Sequence, residues 1–278
     1  MQIGLHFPSS TIGPDPVAIR DFAQTAEGLG YDHLATFEHV LAAPPVNEPG
    51  HPQHRADTPY HEAFVLFGFL AACTSRIGLS TAVVVLPQRQ AALAAKQVAE
   101  VDILSGGRMR LGVGIGRVPG EYQGMGQAFG DRGRRLEEQI QVMRALWTQD
   151  HVHIHGKWHD LHEVGLAMLP VQQPIPIWMG GSSDRVLDRI GRLGDGWITS
   201  SNTDRLTEQL ATIRAAAAAA GRDPNAIGIE GRMGLAGRSP EQRTGDLRWW
   251  EEQGATHVTV SGSLAEAGQL AKELGRGG

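Results

Sequence analysis

The amino-acid sequence predicts an α/β protein that folds as one (β/α)8 TIM barrel with insertion loops, and three observations support this prediction. Short runs of β-branched and aliphatic residues alternate with helix-period segments along the whole chain. The chain has 278 residues, which is enough for eight strand–helix units in a fold that typically takes about 250. The clearest unit covers residues 76–116, where two apolar runs flank a helical segment that ends at Gly106–Gly107. A doubly wound open sheet rarely needs eight strands, so we expect a closed barrel.

Each predicted strand is a short apolar run that lies between turn residues. Strand-forming β-branched and aliphatic side chains dominate these runs. The eight candidates, in chain order, are Gln2–Phe7, Asp32–Phe37, Ile77–Leu86, Met109–Ile115, Ile175–Met179, Gly196–Thr199, Ile227–Glu230 and Thr256–Val260.

Helical segments separate the predicted strands, and several of them carry a start signal. Asp15, Asp131 and Ser239 each stand at a predicted helix start, and a proline follows the first and the last of these residues. The best-defined helical patterns are Val17–Leu29, Ala91–Leu104, Arg132–Gln149, Asp184–Leu193 and Glu241–Gln253.

Three segments do not fit the simple alternation, and we interpret them as insertions in a single domain that spans residues 1–278. They are residues 40–60, 117–130 and 150–174. The first is rich in Pro and His and follows strand 2, where a barrel places its active-site loops, so we expect a lid. The third contains HVHIHGKWHDL, whose alternation about Gly156 predicts a small hairpin.

The hairpin sequence brings three histidines into register. His151, His153 and His155 alternate along one strand, and such a face can in principle hold a metal ion. No carboxylate or cysteine lies at ligand spacing, and a turn follows directly. We therefore interpret the histidines as the solvent-facing side of the hairpin and predict no metal site.

Composition gives no support for a protein that binds nucleic acid or a membrane, or for one stabilised by disulfides. The net charge is −5, and the Lys and Arg residues are scattered, so the chain has no basic patch for nucleic acid or an anionic membrane. Cys73 is the only cysteine, which excludes an intrachain disulfide. The N-terminal residues MQIGLHFP form no basic leader, and no long uncharged apolar run follows. We expect a cytoplasmic protein with a small-molecule substrate.

The candidate site residues follow the predicted strands, because barrel enzymes assemble their sites at the carboxyl ends of the strands. His6 follows strand 1, the pair Glu38–His39 follows strand 2, and Gly114–Arg117 follows strand 4. The run GVGIG is not a dinucleotide fingerprint, because a loop rather than a helix continues from it.

A further candidate follows strand 5. Gly180–Gly181–Ser182 leads into the helical pattern Asp184–Leu193, so free backbone N–H groups and the helix dipole would meet there. This arrangement predicts an anion site, most simply for a phosphate; a plain capped turn is the alternative.

An ordered series of short motifs runs through nearly the whole chain. It consists of LSGGR, GVGIG, RRLEE, ALWT, PIPIWMGG and RLGDGW. With this series the chain resembles the luciferase-like monooxygenase superfamily, and within it the oxidoreductases that use the deazaflavin coenzyme F420. Members are (β/α)8 barrels that bind FMN or F420 at the carboxyl end of the barrel.

The resemblance implies roles for individual residues. A bulge with a non-prolyl cis peptide is expected at Ala82–Val83, supporting the cofactor ring from behind. Glu38 and His39 match the acidic–His pair of F420 relatives, so we predict both as catalytic and His39 as the acid. The expected cofactor-binding residues are His6, Ala82, Val83, Gly114, Ile115, Gly116, Gly180, Gly181 and Ser182.

The sequence departs from its relatives after GVGIG. Several relatives carry an acidic or aromatic residue there, whereas this chain has Arg117. A guanidinium binds carboxylate or phosphate groups in a bidentate manner, so we predict Arg117 as a substrate-binding residue.

The resemblance implies an oxidoreductase that transfers a hydride between C5 of F420 and a C=C, C=O or C=N bond of a small organic substrate. A homodimer is expected from the same resemblance. The alternative within the fold is an FMN-dependent monooxygenase. Outside enzymes, a cofactor-binding protein or an inactive barrel homologue is the other interpretation.

Overall fold

The computed structural model describes residues 1–41, 59–199 and 205–277, and within them the chain forms a parallel β-barrel surrounded by helices. This architecture confirms the predicted (β/α)8 fold. The strands of the barrel are β1 (Gln2–His6), β2 (His33–Thr36), β3 (Gly78–Thr81), β4 (Val84–Val85), β5 (Met109–Gly114), β8 (Ile177–Gly180), β9 (Gly196–Ile198), β10 (Gly228–Gly234) and β11 (His257–Ser261).

The barrel closes because β1 pairs in parallel with both β2 and β11, while β3 and β4 both pair with β5. From β5 the ladder continues through β8, β9 and β10 back to β11. The predicted strand Ile77–Leu86 is therefore two short strands in one barrel position. A cis peptide between Ala82 and Val83 separates them, as the resemblance implied.

Helices follow most of the strands and cover the barrel. Their bounds are α1 (Pro16–Gly28), α2 (Ala63–Cys73), α3 (Ala91–Ser105), α4 (Pro119–Gly124), α5 (Arg132–Thr148), α6 (Asp184–Leu193), α7 (Leu206–Ala219), α8 (Pro240–Glu252) and α9 (Leu264–Glu273). Asp15 caps α1 by accepting a hydrogen bond from the Val17 amide at 2.9 Å, as its position predicted. Ser239 begins α8 with a capping box that Gln242 completes.

The main core lies between the barrel and its helices. Trp147 on α5 is fully buried, and its indole Nε1 donates to the carbonyl of Ala95 on α3 at 3.0 Å. Because a buried indole needs a partner for its N–H, this bond fixes how α5 lies against α3. This contact joins two neighbouring helices of the layer that surrounds the barrel.

The insertions differ in content. Residues 42–58 of the first segment, including most of the predicted lid, lie outside the described residues. The second segment contains α4, a short helix where the sequence predicts a loop. The third forms the predicted hairpin, with β6 (Val152–His155) antiparallel to β7 (Asp160–Val164). His151, His153 and His155 are exposed, as expected for its solvent-facing side.

Two negative findings concern the described ranges. No group of three or more His, Cys, Asp or Glu side chains there is arranged to hold a metal ion. Among the same residues, the helices are all too short or too polar to cross a bilayer.

Candidate functional site

We call the end of the barrel at which the strands have their carboxyl ends the barrel mouth. Val83 lies at its centre, between the carboxyl ends of β5 and β8. A Cβ placed on Gly114 would lie 2.8 Å from Val83 Cγ2, and one placed on Gly180 would lie 3.1 Å from Val83 Cγ1. Both positions therefore lack side chains because Val83 occupies the space between them. The two glycine-rich motifs that the sequence singled out lie at the same end of the barrel, on either side of the cis peptide.

Backbone and side-chain hydrogen bonds hold the cis peptide from two directions. The amide of Ala82 donates to the carbonyl of Thr36 at 2.6 Å. On the other side, Nη2 of Arg232 donates to the carbonyl of Ala82. Arg232 is largely buried on β10, so its charge lies inside the barrel mouth. Sequence reasoning missed this residue, because the predicted strand Ile227–Glu230 ends before it, whereas β10 continues to Gly234.

His6 reaches the same region from the end of β1. Burial, followed by the positive charge of Arg232, lowers the pKa of His6 from 6.5 to about 4. Its ring lies 5.1 Å from that of Phe37, and its Nε2 atom is buried with no hydrogen-bond partner among the described residues. An unpartnered buried nitrogen at the mouth is available to a bound ligand.

His39 lies in the loop after β2 and forms a close pair with an acidic residue. Its Nδ1 is 2.5 Å from Oε1 of Glu121, a residue of α4 that is only 3% exposed. The other carboxylate oxygen, Oε2, accepts a hydrogen bond of 3.0 Å from Nε2 of Gln88. The ring of Tyr60 lies 5.4 Å from the His39 ring. His39 is thus an oriented imidazole at the edge of the mouth.

Glu38 does not share this arrangement. Its Oε2 accepts a hydrogen bond of 2.7 Å from the Ala63 amide at the start of α2, and its Oε1 pairs with Arg89. Burial raises the pKa of Glu38, while the charge of Arg89 acts in the opposite direction. The resemblance groups Glu38 with His39 as a pair. In the structure Glu38 contacts α2 and Arg89, whereas the carboxylate that contacts His39 is that of Glu121.

A cleft of about 800 Å³ extends from Ile115 to the amino-terminal end of α6. We call it the arginine-lined cleft, because five arginines line it together with four acidic residues. Its charged residues are Asp131, Arg132, Arg134, Glu137, Asp184, Arg185, Asp188, Arg189 and Arg192. Glu137 bonds both Arg189 and Arg192. Within the described residues, Arg132, Arg134 and Arg185 form no ion pair with a carboxylate.

The arginine-lined cleft connects with the mouth through Arg132, whose Nε donates to the carbonyl of Gly116 at 3.3 Å. Gly116 has a φ of 59°, a conformation that favours glycine, and a Cβ there would meet Val85. On the α6 side the cleft begins at Ser183, the residue after the predicted anion site at Gly180–Ser182.

The remaining predicted residues lie around these features. Gly181 and Ser182 are exposed, and the carbonyl of Gly181 accepts a hydrogen bond of 2.8 Å from Trp197 Nε1. Ile115 is half-buried and lines the arginine-lined cleft. Arg117 is exposed directly after Gly116. The structure therefore brings together His6, Val83, Gly114 and Gly180 at the centre of the mouth, with His39 at its edge.

Comparison with known proteins gives a consistent family. A family model described as luciferase-like monooxygenase matches residues 3–271. An uncharacterized protein of Mycobacterium tuberculosis is 35% identical over 200 residues, which is 69% of this chain and 68% of the relative. An FMNH2-dependent dimethylsulfone monooxygenase of Pseudomonas putida is 32% identical over 207 residues, 73% of this chain but 54% of that enzyme.

A solved structure shows the same fold. The F420-dependent secondary alcohol dehydrogenase in complex with an F420–acetone adduct superposes with a TM-score of 0.82 at 19% identity, over 98% of this chain and 97% of that one. At this identity the likeness concerns the fold alone.

Proposed function

Since the chain belongs to the luciferase-like monooxygenase family, we propose that it is a cytoplasmic oxidoreductase that binds coenzyme F420 at the barrel mouth and reduces or oxidises a small organic substrate. When bound, F420 supplies a carbon centre that carries hydride without readily activating O₂. The protein's own contribution is then to bind and orient both molecules and to supply a proton.

The observation that carries the proposal is the continuity of the glycine-flanked mouth with the arginine-lined cleft. At the mouth, Val83 packs against Gly114 and Gly180, and His6 offers a buried nitrogen that has no partner among the described residues. The cleft offers arginine side chains, which bind anionic groups. A ligand with a planar head and a negatively charged tail fits this combination.

We assign His39 as the residue that exchanges a proton with the substrate, because an imidazole can do so near neutral pH. Glu38 supports the site through Arg89 and α2 in this proposal, and Arg117 receives an anionic group of the substrate. The backbone at Ile115 and Gly116 runs beside the cofactor, together with Ala82, Gly181 and Ser182.

F420 is favoured over FMN by the charge of its tail. The oligoglutamyl tail carries negative charges beyond the phosphate, and Arg134 and Arg185 are exposed cations in the arginine-lined cleft. An FMN-dependent monooxygenase is the second candidate, and the identity of 32% to the Pseudomonas putida enzyme supports it.

The deciding experiment is a titration of the apoprotein, produced in a host without F420, with F420 and with FMN. We expect micromolar or tighter binding of F420 and at least tenfold weaker binding of FMN, a difference of about 1.4 kcal/mol. The double variant Arg134→Gln/Arg185→Gln should weaken F420 binding, because it removes two of the cleft's cations.

Arg214→Gln, which changes an exposed arginine on α7 outside the cleft, is the matched control and should bind F420 like the wild type. Co-purification with yellow FMN, or oxygen consumption with reduced FMN, would assign the protein to the monooxygenases instead.

A further inference from the structure

Glu121 is a buried carboxylate in direct contact with His39. Its two oxygens accept from two different residues, His39 at 2.5 Å and Gln88 at 3.0 Å. Gln88 is itself buried, at 2% exposed. A buried carboxylate is costly unless its oxygens are hydrogen-bonded, and these two bonds, one to each oxygen, meet that requirement here.

The pattern of donors fixes the tautomer of the His39 ring. The amide nitrogen of Gln88 can only donate, and the ionised carboxylate of Glu121 can only accept. The contact at Oε1 therefore requires a hydrogen on Nδ1 of His39. In the neutral ring the second nitrogen, Nε2, then carries the lone pair, so Nε2 is the nitrogen that can accept a proton.

The geometry of this contact is set by elements on both sides. α4 is attached to the end of β5 because the Tyr122 hydroxyl donates to the carbonyl of Ile115 at 2.7 Å. Leu41 packs where a side chain at Gly124 would otherwise lie, so the loop after β2 and α4 touch at a second point. Glu121 therefore has a fixed position relative to His39.

Gln88 connects the same carboxylate to β4, the short strand that follows the cis peptide. It ends the 3-10 turn Leu86–Gln88, which follows β4 directly. Gln139 on α5, fully buried, holds this turn by donating to the carbonyl of Arg89 at 2.9 Å. A continuous set of hydrogen-bonded groups thus runs from the turn after β4 to His39.

We propose that Glu121 is the positioning residue for His39, and that it holds the imidazole as the Nδ1–H tautomer, with the lone pair on Nε2. Its catalytic consequence rests on the proposed function, whereas its effect on the tautomer is a property of the protein without any cofactor. Gln88 keeps the carboxylate in the required orientation.

The first test measures the tautomer in the apoprotein. Long-range ¹H–¹⁵N spectra at pH 8 distinguish the two neutral tautomers, and the His39 signal is assigned by its loss in His39→Gln. We expect the Nδ1–H tautomer in the wild type and a mixture in Glu121→Gln, because the amide offers one acceptor to two donors. Gln88→Leu should give a smaller change in the same direction.

A matched control exists in the hairpin region. Nδ1 of His159 lies 2.8 Å from Oε1 of Glu138, the same kind of pair at a different place. Glu138→Gln should change the His159 signal and leave that of His39 as in the wild type. An unchanged His39 tautomer in Glu121→Gln, or the Nε2–H tautomer in the wild type, would overturn the proposal.

The second test is kinetic. We expect Glu121→Gln to lower kcat by about tenfold or more, because the imidazole loses the carboxylate that orients it. KM for the substrate should change less than kcat, since Glu121 touches His39 and not the substrate.

A protein that fails to bind F420 but shows the expected tautomers would remove the cofactor assignment and leave the role of Glu121 intact. An unchanged kcat, or a loss that appears in KM alone, would contradict the positioning role.

Discussion

Glu38 and His39 are neighbours in the chain, yet their side chains serve different parts of the molecule. Glu38 is buried against the start of α2, where it accepts the Ala63 amide hydrogen, and His39 contacts Glu121 at the edge of the mouth. Successive residues in extended chain point to opposite sides, which accounts for the separation. The two side chains of the pair therefore have different partners and different surroundings.

The first residue-level prediction concerns His39. We expect His39→Ala to bind the cofactor within several-fold of the wild type and to lower turnover by ~10²-fold or more, the usual contribution of a positioned acid. Cofactor titration and steady-state kinetics on the same preparation measure both quantities. His162→Ala, an exposed histidine of the hairpin, is the control and should turn over normally. Wild-type turnover in His39→Ala would remove the residue from the mechanism.

The sequence predicts that His39 follows β2, but it does not predict that Glu121 is its partner. Strand ends are readable, because apolar runs stop at turn residues, and a barrel brings those ends together. Glu121 lies 82 residues from His39, in a segment whose Pro and Gly content indicated a loop. Contacts between two loops depend on tertiary packing, here of α4 against β5, and local patterns do not report such packing.

At the level of elements, four barrel strands share a polar network inside the barrel. Arg110 on β5 bonds Oε2 of Glu230 on β10 at 2.5 Å, and Thr259 on β11 donates to Oε1 of Glu230 at 2.8 Å. Because the Thr259 hydroxyl uses its hydrogen for Glu230, the contact of 3.0 Å with His33 requires His33 Nε2 to donate. His257 lies beside this group, with its ring 5.7 Å from that of His33.

Sequence reasoning missed this network, although its members stand within predicted strands. Arg110 and Glu230 look like surface residues when a strand is considered alone. In a closed barrel the side of each strand that faces away from the helices points into the interior, so a charged residue there needs a buried partner. Pairing Arg110 with Glu230 requires the register between distant strands, which the closed topology supplies.

The network predicts a loss of stability in acid. Burial, then the charge of Arg110, lowers the pKa of His257 from 6.5 to about 4, and burial holds the pKa of His33 well below 6.5. The charge of Asp32 acts to raise the pKa of both histidines. Glu230 also acts to raise the pKa of His257, whereas the N-terminal ammonium acts to lower it. Both rings are neutral in the folded protein, whereas the unfolded chain takes up protons below pH 6.5. Their contribution is therefore complete above pH 6.5 and is lost as the pH falls toward 4.

Thermal unfolding followed by circular dichroism at pH 7.5 and pH 5 measures this loss. The melting temperature of the wild type should fall between the two pH values, and His257→Gln should reduce the fall because one titrating group is gone. His151→Gln, an exposed histidine of the hairpin region, should leave the fall unchanged. Equal falls in the wild type and His257→Gln would show that this ring does not control the acid response.

At the level of the whole molecule, one side of the helix layer is unusually apolar. α2 has the sequence AFVLFGFLAAC, without a charged residue, although a helix that is apolar all around normally needs cover on every side. It packs on α1 and α3, yet Val65 is 71% exposed and Phe69, one turn later, is 40% exposed. The adjacent helix α3 exposes two leucines, Leu93 and Leu104.

These side chains predict that two copies of the chain associate through α2 and α3, in agreement with the homodimer that the family resemblance implied. Contiguous exposed apolar side chains on a soluble protein favour association, because burial removes their surface from water. We expect sedimentation and light scattering at micromolar concentration to give twice the chain mass of 29.9 kDa.

Val65→Glu should give the monomer, because a charge would be buried without a partner. Val171→Glu, at a valine that is 60% exposed in the segment before β8, is the control and should remain dimeric. A wild-type monomer, or a dimeric Val65→Glu, would show that α2 faces water or a different partner.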